Sequence, residues 1–278
     1  GTLPSMALDY ISESVLGDKK LVSEKFPDKN EFFARGWLED TETYLKYALI
    51  DVELMVEIDE TNYCSEAIIA LQRLLKAPFD ACFYASNMGT IYFMRNAWWK
   101  CLTGNRKAKK ESYKGAMIYD PLSEETNGLH LNVAAFDFSG LYPSMMISRN
   151  ISFETISDEP TELGVNVLTP RDFSEATEEK MIYFKTDKLG LLPRAVLELK
   201  ELRNEYKAKM KAARGKPNGE YMKWHNNQMA VKRLSASFYG IIGFTGYAWA
   251  NNDLAAAITA SAREAIRLAA FKAKELEA

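Results

Sequence analysis

The chain has 278 residues, of which 47% are hydrophobic and 26% charged, and its formal net charge at pH 7 is −3. That supply of apolar side chains suffices for the core of one large domain or two small ones, and the charge balance is not that of a strongly basic nucleic-acid module. No window reaches the apolar length of a membrane span and no signal peptide opens the chain, so a protein inside a cell, in cytoplasm or nucleoid and of cellular or viral origin, is expected.

Residues 1 to about 75 read as mostly helical. A helix is expected over Thr41 to Glu57, with the apolar series Leu45, Ala48, Val52 and Met55 at helical spacing. Tyr47 and Asp51 stand inside it as Tyr-x-x-x-Asp; taken alone, that Asp faces solvent. An amphipathic helix follows from Ser65 to Leu75, then Pro78 and an aromatic-rich stretch to Trp98-Trp99 that reads as core packing. Lys100, Arg106, Lys107, Lys109, Lys110 and Lys114 form a basic cluster, by itself a solvated face. Within Tyr113-Lys114-Gly115-Ala116, a glycine that admits close backbone approach stands beside a lysine, which suits a phosphate contact, although in isolation it reads as an ordinary turn.

Val133-Ala134-Ala135-Phe136 is expected to form a buried strand that delivers Asp137 to its end, where Gly140 and Pro143 turn the chain sharply. A carboxylate at a strand end is a metal-ligand position. Gly140 lets a polyanion approach the backbone, and Tyr142 can pack flat against a bound ring. With only His130 and His225, and with Cys64, Cys82 and Cys101 lacking zinc-site spacing, any catalytic metal would be held by oxygen, which favours magnesium or manganese. Residues 151 to 188 are polar and acidic and carry little chemistry.

Gly190 and Pro193 mark the start of a helix. Along it, Leu192, Val196, Leu199, Leu202, Tyr206 and Met210 form an apolar stripe, with Lys200, Arg203, Lys207 and Lys211 as a parallel basic one. Gly215, Pro217 and Gly219 break this helix, and a second begins near Glu220 and folds back as a hairpin. On the second helix Lys232, Ala236 and Tyr239 share a face, which suits a triphosphate, a sugar and a base pair respectively. The chain closes with an Ala-rich helix from Leu254 to Leu276, carrying Leu254, Ile258, Ala262, Ile266 and Ala269 on one face.

Two stretches carry a resemblance. Asp137-Phe138-Ser139-Gly140-Leu141-Tyr142-Pro143-Ser144, followed by Asn150-Ile151-Ser152, resembles the first palm motif of family B DNA polymerases. Lys232-Arg233-Leu234-Ser235-Ala236-Ser237-Phe238-Tyr239-Gly240 resembles the family's fingers motif, with Ala236 where the family usually has Asn. Residues 112 to 116 are similar to the segment that touches template phosphates, and Tyr47 with Asp51 to the third motif of the proofreading exonuclease.

The resemblance implies an α+β, predominantly helical fold: a partial palm, helical-hairpin fingers and a C-terminal remnant of an exonuclease domain. The implied boundaries are 1–75 for that remnant, 76–188 for linker helices and the first part of the palm, 189–247 for the fingers and 248–278 for a palm helix. It also implies template-directed addition of dNTPs to a primer 3′ end with Mg²⁺ or Mn²⁺. Asp137 and the Phe138 carbonyl would hold metal. Phe138, Ser139, Gly140, Leu141, Tyr142, Arg203, Lys207, Lys232 and Tyr239 would bind the nucleotide, and Tyr113, Lys114, Gly115 and Gly240 the DNA.

The family's second catalytic aspartate, in an Asp-Thr-Asp motif, and its thumb have no counterpart in this sequence. A second polypeptide supplying both is therefore expected, the chain being a split-gene subunit, a cleaved product or a part of a longer protein. A sliding clamp stands among the further partners. No exonuclease activity is expected, since no Asp-x-Glu signature precedes Asp51. The rival reading is a non-catalytic DNA-binding or scaffold remnant; a hydrolase is disfavoured because no nucleophile stands with a nearby base.

Overall fold

The computed structural model describes residues 4–97, 113–117, 129, 131, 133–170, 177–216 and 219–275. The basic cluster at 100–110, the paired tryptophans, His130, Cys101 and Pro217 lie outside them.

Helices form the first third: α1 (Leu8–Leu16), α2 (Lys29–Glu39), α3 (Thr41–Asn62), α4 (Cys64–Leu75), a 3₁₀ turn (Phe79–Phe83) and α5 (Ala85–Asn96). Asp28 caps α2, its carboxylate accepting from the Asn30 amide at 2.7 Å, as a short acidic side chain does at an N-terminus with orphan N–H groups. Helix α3 runs longer than expected, and the face it buries is not the one that carries the Leu45, Val52 and Met55 series. Leu45, Val52 and Met55 are more than half exposed, whereas Leu54 is buried and Tyr44 and Tyr47 pack against Phe32 of α2. The seam that meets α1 and α2 lies one residue round, about 100° from the expected stripe. With apolar residues on more than one side of α3, spacing alone could not choose between them.

The main core gathers α5, α6 (Leu141–Ser148), a small sheet, α7 (Leu191–Ala212), α8 (Glu220–Gly243) and α9 (Asn252–Glu275). Helices α7 and α8 pack along each other as a hairpin. Leu192, Val196 and Leu199 of the expected apolar stripe are buried, and the stripe becomes half-buried toward the hairpin tip at Leu202, Tyr206 and Met210. Phe93 of α5 and Phe238 of α8 have no exposed surface and meet at 4.8 Å between ring centroids. Truncating either to alanine should cost about 3–5 kcal/mol.

Within the polar, acidic stretch 151–188, the described residues form a three-stranded antiparallel sheet in the order β1 (Ile156–Ser157), β3 (Thr177–Phe184), β2 (Val165–Pro170), with Val165 opposite Ile182. The pairs Val165/Val167 and Ile182/Phe184 alternate inward and are buried, a period-two signal hidden by the acidic residues around it.

One expected strand is not one. Residues 133–138 have no regular structure, and Val133 and Phe136 are 74% and 95% exposed. A strand exists only when its backbone groups enter a ladder, and among the described residues no strand pairs with this segment.

Asn150 ties α6 to α7. At φ +48° its side-chain amide donates to the carbonyls of Lys185 (2.7 Å) and Lys188 (2.9 Å), and its Oδ1 accepts from the Gly190 amide at 2.8 Å. Ser152 Oγ accepts from the Leu192 amide, and a Cβ on Gly190 would stand 2.4 Å from the Ser152 Cβ. Only glycine lets these two segments approach so closely.

Candidate functional site

Gly140 takes the left-handed conformation (φ +71°) and begins α6, with the Ser144 amide donating to its carbonyl at 2.9 Å. Helix geometry leaves the amides of Leu141 and Tyr142 without an intrahelical acceptor, and Pro143 has none to leave. The first turn of α6 thus offers N–H groups beside an exposed Asp137.

Two adjoining cavities flank this turn. One, of about 420 Å³, is lined by Asp137, Phe138, Tyr142, Lys232, Ala236 and Tyr239, and closed by Thr259 and Arg263 of α9. The other, of about 120 Å³, lies between Ser139 and Gly140 on one side and Arg203, Lys207 and Lys232 on the other. Gly140 and Lys232 line both. The carboxylate singled out in sequence therefore lines one cavity, Arg203 and Lys207 line its neighbour, and Lys232 stands between the two. Tyr142 and Tyr239 pack with ring centroids 4.6 Å apart.

Some of these side chains are held in place. Arg203 donates through Nε to Oε1 of buried Gln228 at 3.1 Å. Tyr239 shares a 3.1 Å hydroxyl hydrogen bond with Tyr113. Burial, followed by that bond, holds the Tyr239 phenol above its ordinary pKa, so it stays neutral through the physiological range.

The 113–117 segment lies along β2, with the Lys114 amide donating to the Leu168 carbonyl at 3.1 Å. Lys114 is exposed and Gly115 half-buried. Gly240 sits on the open face of α8, with nothing within 4 Å of an added Cβ, and lines neither cavity. Sequence reasoning passed over Gln228, Thr259 and Arg263. Polar residues inside otherwise apolar helical stripes were the available signal.

Tyr47 and Asp51 lie on α3 and line neither cavity. Lys20 reaches across to Asp51 Oδ2 at 2.7 Å and to the Tyr47 hydroxyl at 3.4 Å. Burial disfavours its charge, but the hydrogen bonds to Asp51 and Tyr47 outweigh burial and raise its pKa.

Among the described residues no three His, Cys, Asp or Glu side chains converge. Magnesium is commonly held by one or two carboxylates together with substrate phosphates, and Asp137 is the carboxylate that lines the larger cavity, beside Lys232, so it fits the protein's share of such a site.

The family described as DNA polymerase family B matches residues 85–275. The DNA polymerase of Pyrococcus glycovorans is 29% identical over 99% of this chain and 34% of its own length. That of Archaeoglobus fulgidus is 34% identical over 60% of this chain and 19% of its own. The DNA-directed DNA polymerase of Escherichia phage RB69 is 27% identical over 82% of this chain and 25% of its own. The fold matches the family B DNA polymerase from the hyperthermophilic archaeon Pyrobaculum calidifontis with a TM-score of 0.68 at 24% identity, over 99% of this chain and 35% of that one. The chain spans about a third of the length of the first of these relatives and of that solved structure. A match over most of its length, with a whole-chain likeness in fold, places the chain in DNA polymerase family B.

Proposed function

We propose that this chain forms the nucleotide-binding part of a template-directed DNA polymerase, with α6 and its flanks as palm and the α7–α8 hairpin as fingers. A second polypeptide would supply the Asp-Thr-Asp motif and the thumb. The observation that carries this reading is that Gly140 and Lys232 border both cavities, so Asp137 and the cations of two distant segments can act on one bound molecule.

In nucleotidyl transfer the primer 3′ oxygen bonds to the α-phosphorus as the bond to pyrophosphate breaks. Arg203, Lys207 and Lys232 would neutralise the β- and γ-phosphates and the departing pyrophosphate, and the first-turn amides of α6 would bind phosphate oxygens. Tyr142 would lie beneath the sugar and exclude a ribose 2′ hydroxyl, while Tyr239 would pack against the nascent pair. Asp137 and the Phe138 carbonyl would hold Mg²⁺ or Mn²⁺, which supplies charge stabilisation around the reacting phosphate. Gln228 would keep Arg203 aimed at the cleft. Ala236 itself offers the nucleotide no polar group, so the cations and the α6 amides would carry its binding.

Calorimetric titration of dNTP with magnesium into the chain tests the reading. Binding that falls at least about tenfold in Lys232→Ala is expected for a charged contact to phosphate. No binding by the parent chain, alone or with a C-terminal partner, would favour the scaffold reading. With that partner supplied, primer extension should vanish in Asp137→Asn.

A further inference from the structure

Arg263 is a buried cation without a buried anion. It is 4% exposed, and among the described residues its hydrogen-bond partners are backbone carbonyls: Nη1 donates to Lys114 O at 2.5 Å and to Gly115 O at 2.6 Å. Thr259, one turn earlier on the same face of α9 and with no exposed surface, places its hydroxyl 3.0 Å from the same Lys114 carbonyl, with the Ala256 and Ala255 carbonyls of its own helix as further acceptors at 3.1 and 3.2 Å. Desolvation, followed by repulsion from Arg267, lowers the Arg263 pKa, and no carboxylate among the described residues pairs with it to repay that cost. Drawing most of a guanidinium out of water against two carbonyls costs more than packing an apolar side chain in the same place, so the cation calls for a reason beyond packing.

The arrangement does fix the direction of the 113–116 backbone. Consecutive carbonyls at 114 and 115 are drawn toward α9, and the Lys114 amide is tied to β2 through Leu168. With both peptide groups turned inward, the Lys114 side chain is left exposed. Tyr113 is held in turn by the Tyr239 hydroxyl. Arg263 also borders the cavity that holds Asp137, so the loop is pinned beside the nucleotide space.

We propose that Arg263, assisted by Thr259, is a positioning residue: it clamps the 113–116 loop so that the Lys114 ammonium meets a DNA phosphate in fixed register with the nucleotide cavity. This rests on the reading of that loop as a DNA contact.

The experiment has two arms. The first, independent of DNA, follows tryptic cleavage after Lys114 by mass spectrometry in the parent chain, Arg263→Gln, Arg263→Lys and Thr259→Val. The second measures binding of a labelled primer–template by the same chains, by Lys114→Ala and by the Arg263→Gln/Lys114→Ala double variant. The clamp predicts that Arg263→Gln accelerates cleavage at Lys114 by about tenfold, the loss of roughly 1.4 kcal/mol of local protection, with Arg263→Lys in between. It also predicts that DNA binding weakens about fivefold, and that Lys114→Ala adds little in the Arg263→Gln background because the two act as one unit.

Unchanged cleavage at Lys114 in Arg263→Gln overturns the clamp. Faster cleavage with DNA losses that simply multiply overturns the link between loop position and DNA binding. Should Arg263→Gln fail to fold, Thr259→Val, which removes one hydroxyl and keeps the volume, carries the same comparison. Parent-like DNA binding by Lys114→Ala would instead defeat the DNA-contact reading, while the cleavage rates still pass or fail the clamp.

Discussion

Tyr142, in the first turn of α6, and Tyr239, near the end of α8, pack with ring centroids 4.6 Å apart and planes at 53°. The contact joins two segments that are remote in sequence and forms one wall of the larger cavity. On the proposed reading, a nucleotide sugar in this cavity lies over the Tyr142 ring. Tyr142→Ala is therefore expected to admit ribonucleotides in primer extension once a polypeptide carrying the Asp-Thr-Asp motif and thumb is supplied. Retained exclusion of ribonucleotides would show that another side chain sets sugar selection.

Gln228 is 5% exposed and accepts from Arg203 Nε. Gln228→Leu keeps the volume but frees the guanidinium to swing into solvent. Loss of one charge-assisted positioning bond predicts a dNTP affinity weaker by about three- to tenfold with folding cooperativity intact. Calorimetry that shows parent-like affinity would separate Arg203 from the triphosphate.

Asn150→Ala should destabilise the chain by about 2–4 kcal/mol, because it strands the buried Gly190 amide and two carbonyls that the side chain satisfies. Urea denaturation reads this directly. A loss below half a kilocalorie would mean that α6 and α7 hold together through packing alone.

Tyr92 and Tyr239 both have phenols held above the ordinary tyrosine pKa, chiefly by burial and next by Glu198 for Tyr92 and by Tyr113 for Tyr239. Their folded pKa values exceed the unfolded value near 10. The stability they contribute is therefore complete below about pH 10 and is lost as pH rises through the folded values. Thermal midpoints should stay level with respect to these groups through pH 9 and fall above pH 10, with a shallower fall in Tyr239→Phe. An ultraviolet titration in which Tyr239→Phe removes absorbance from the first phenolate step, rather than from the last, would contradict this.

Asp51 is engaged by Lys20 at 2.7 Å, and their side chains are 25% and 17% exposed. Asp51→Ala should cost about 1 kcal/mol or less, as partly solvated pairs do, and the chain should not degrade a primer from its 3′ end. Degradation that disappears in Asp51→Ala would reverse that expectation.

The helices α4, α7, α8 and α9 were legible from apolar spacing and from the Gly and Pro that punctuate them, because helix periodicity is a local property of sequence. The residues of the two signature stretches were legible too, since each places an acid, a glycine or a cation at fixed offsets along its own element. Tertiary structure decided the rest. It chose which face of α3 is buried, because two apolar faces about 100° apart compete and only the packing of α1 and α2 settles between them. It left residues 133–138 without a strand partner among the described residues, because a strand is defined by a partner that its own sequence does not encode. It also drew Arg263 onto the carbonyls of Lys114 and Gly115, a contact across 149 and 148 positions that no spacing rule can anticipate. Local order is written in short-range pattern, while the meeting of Asp137 with Lys232 around shared space depends on how the elements pack once the core has closed.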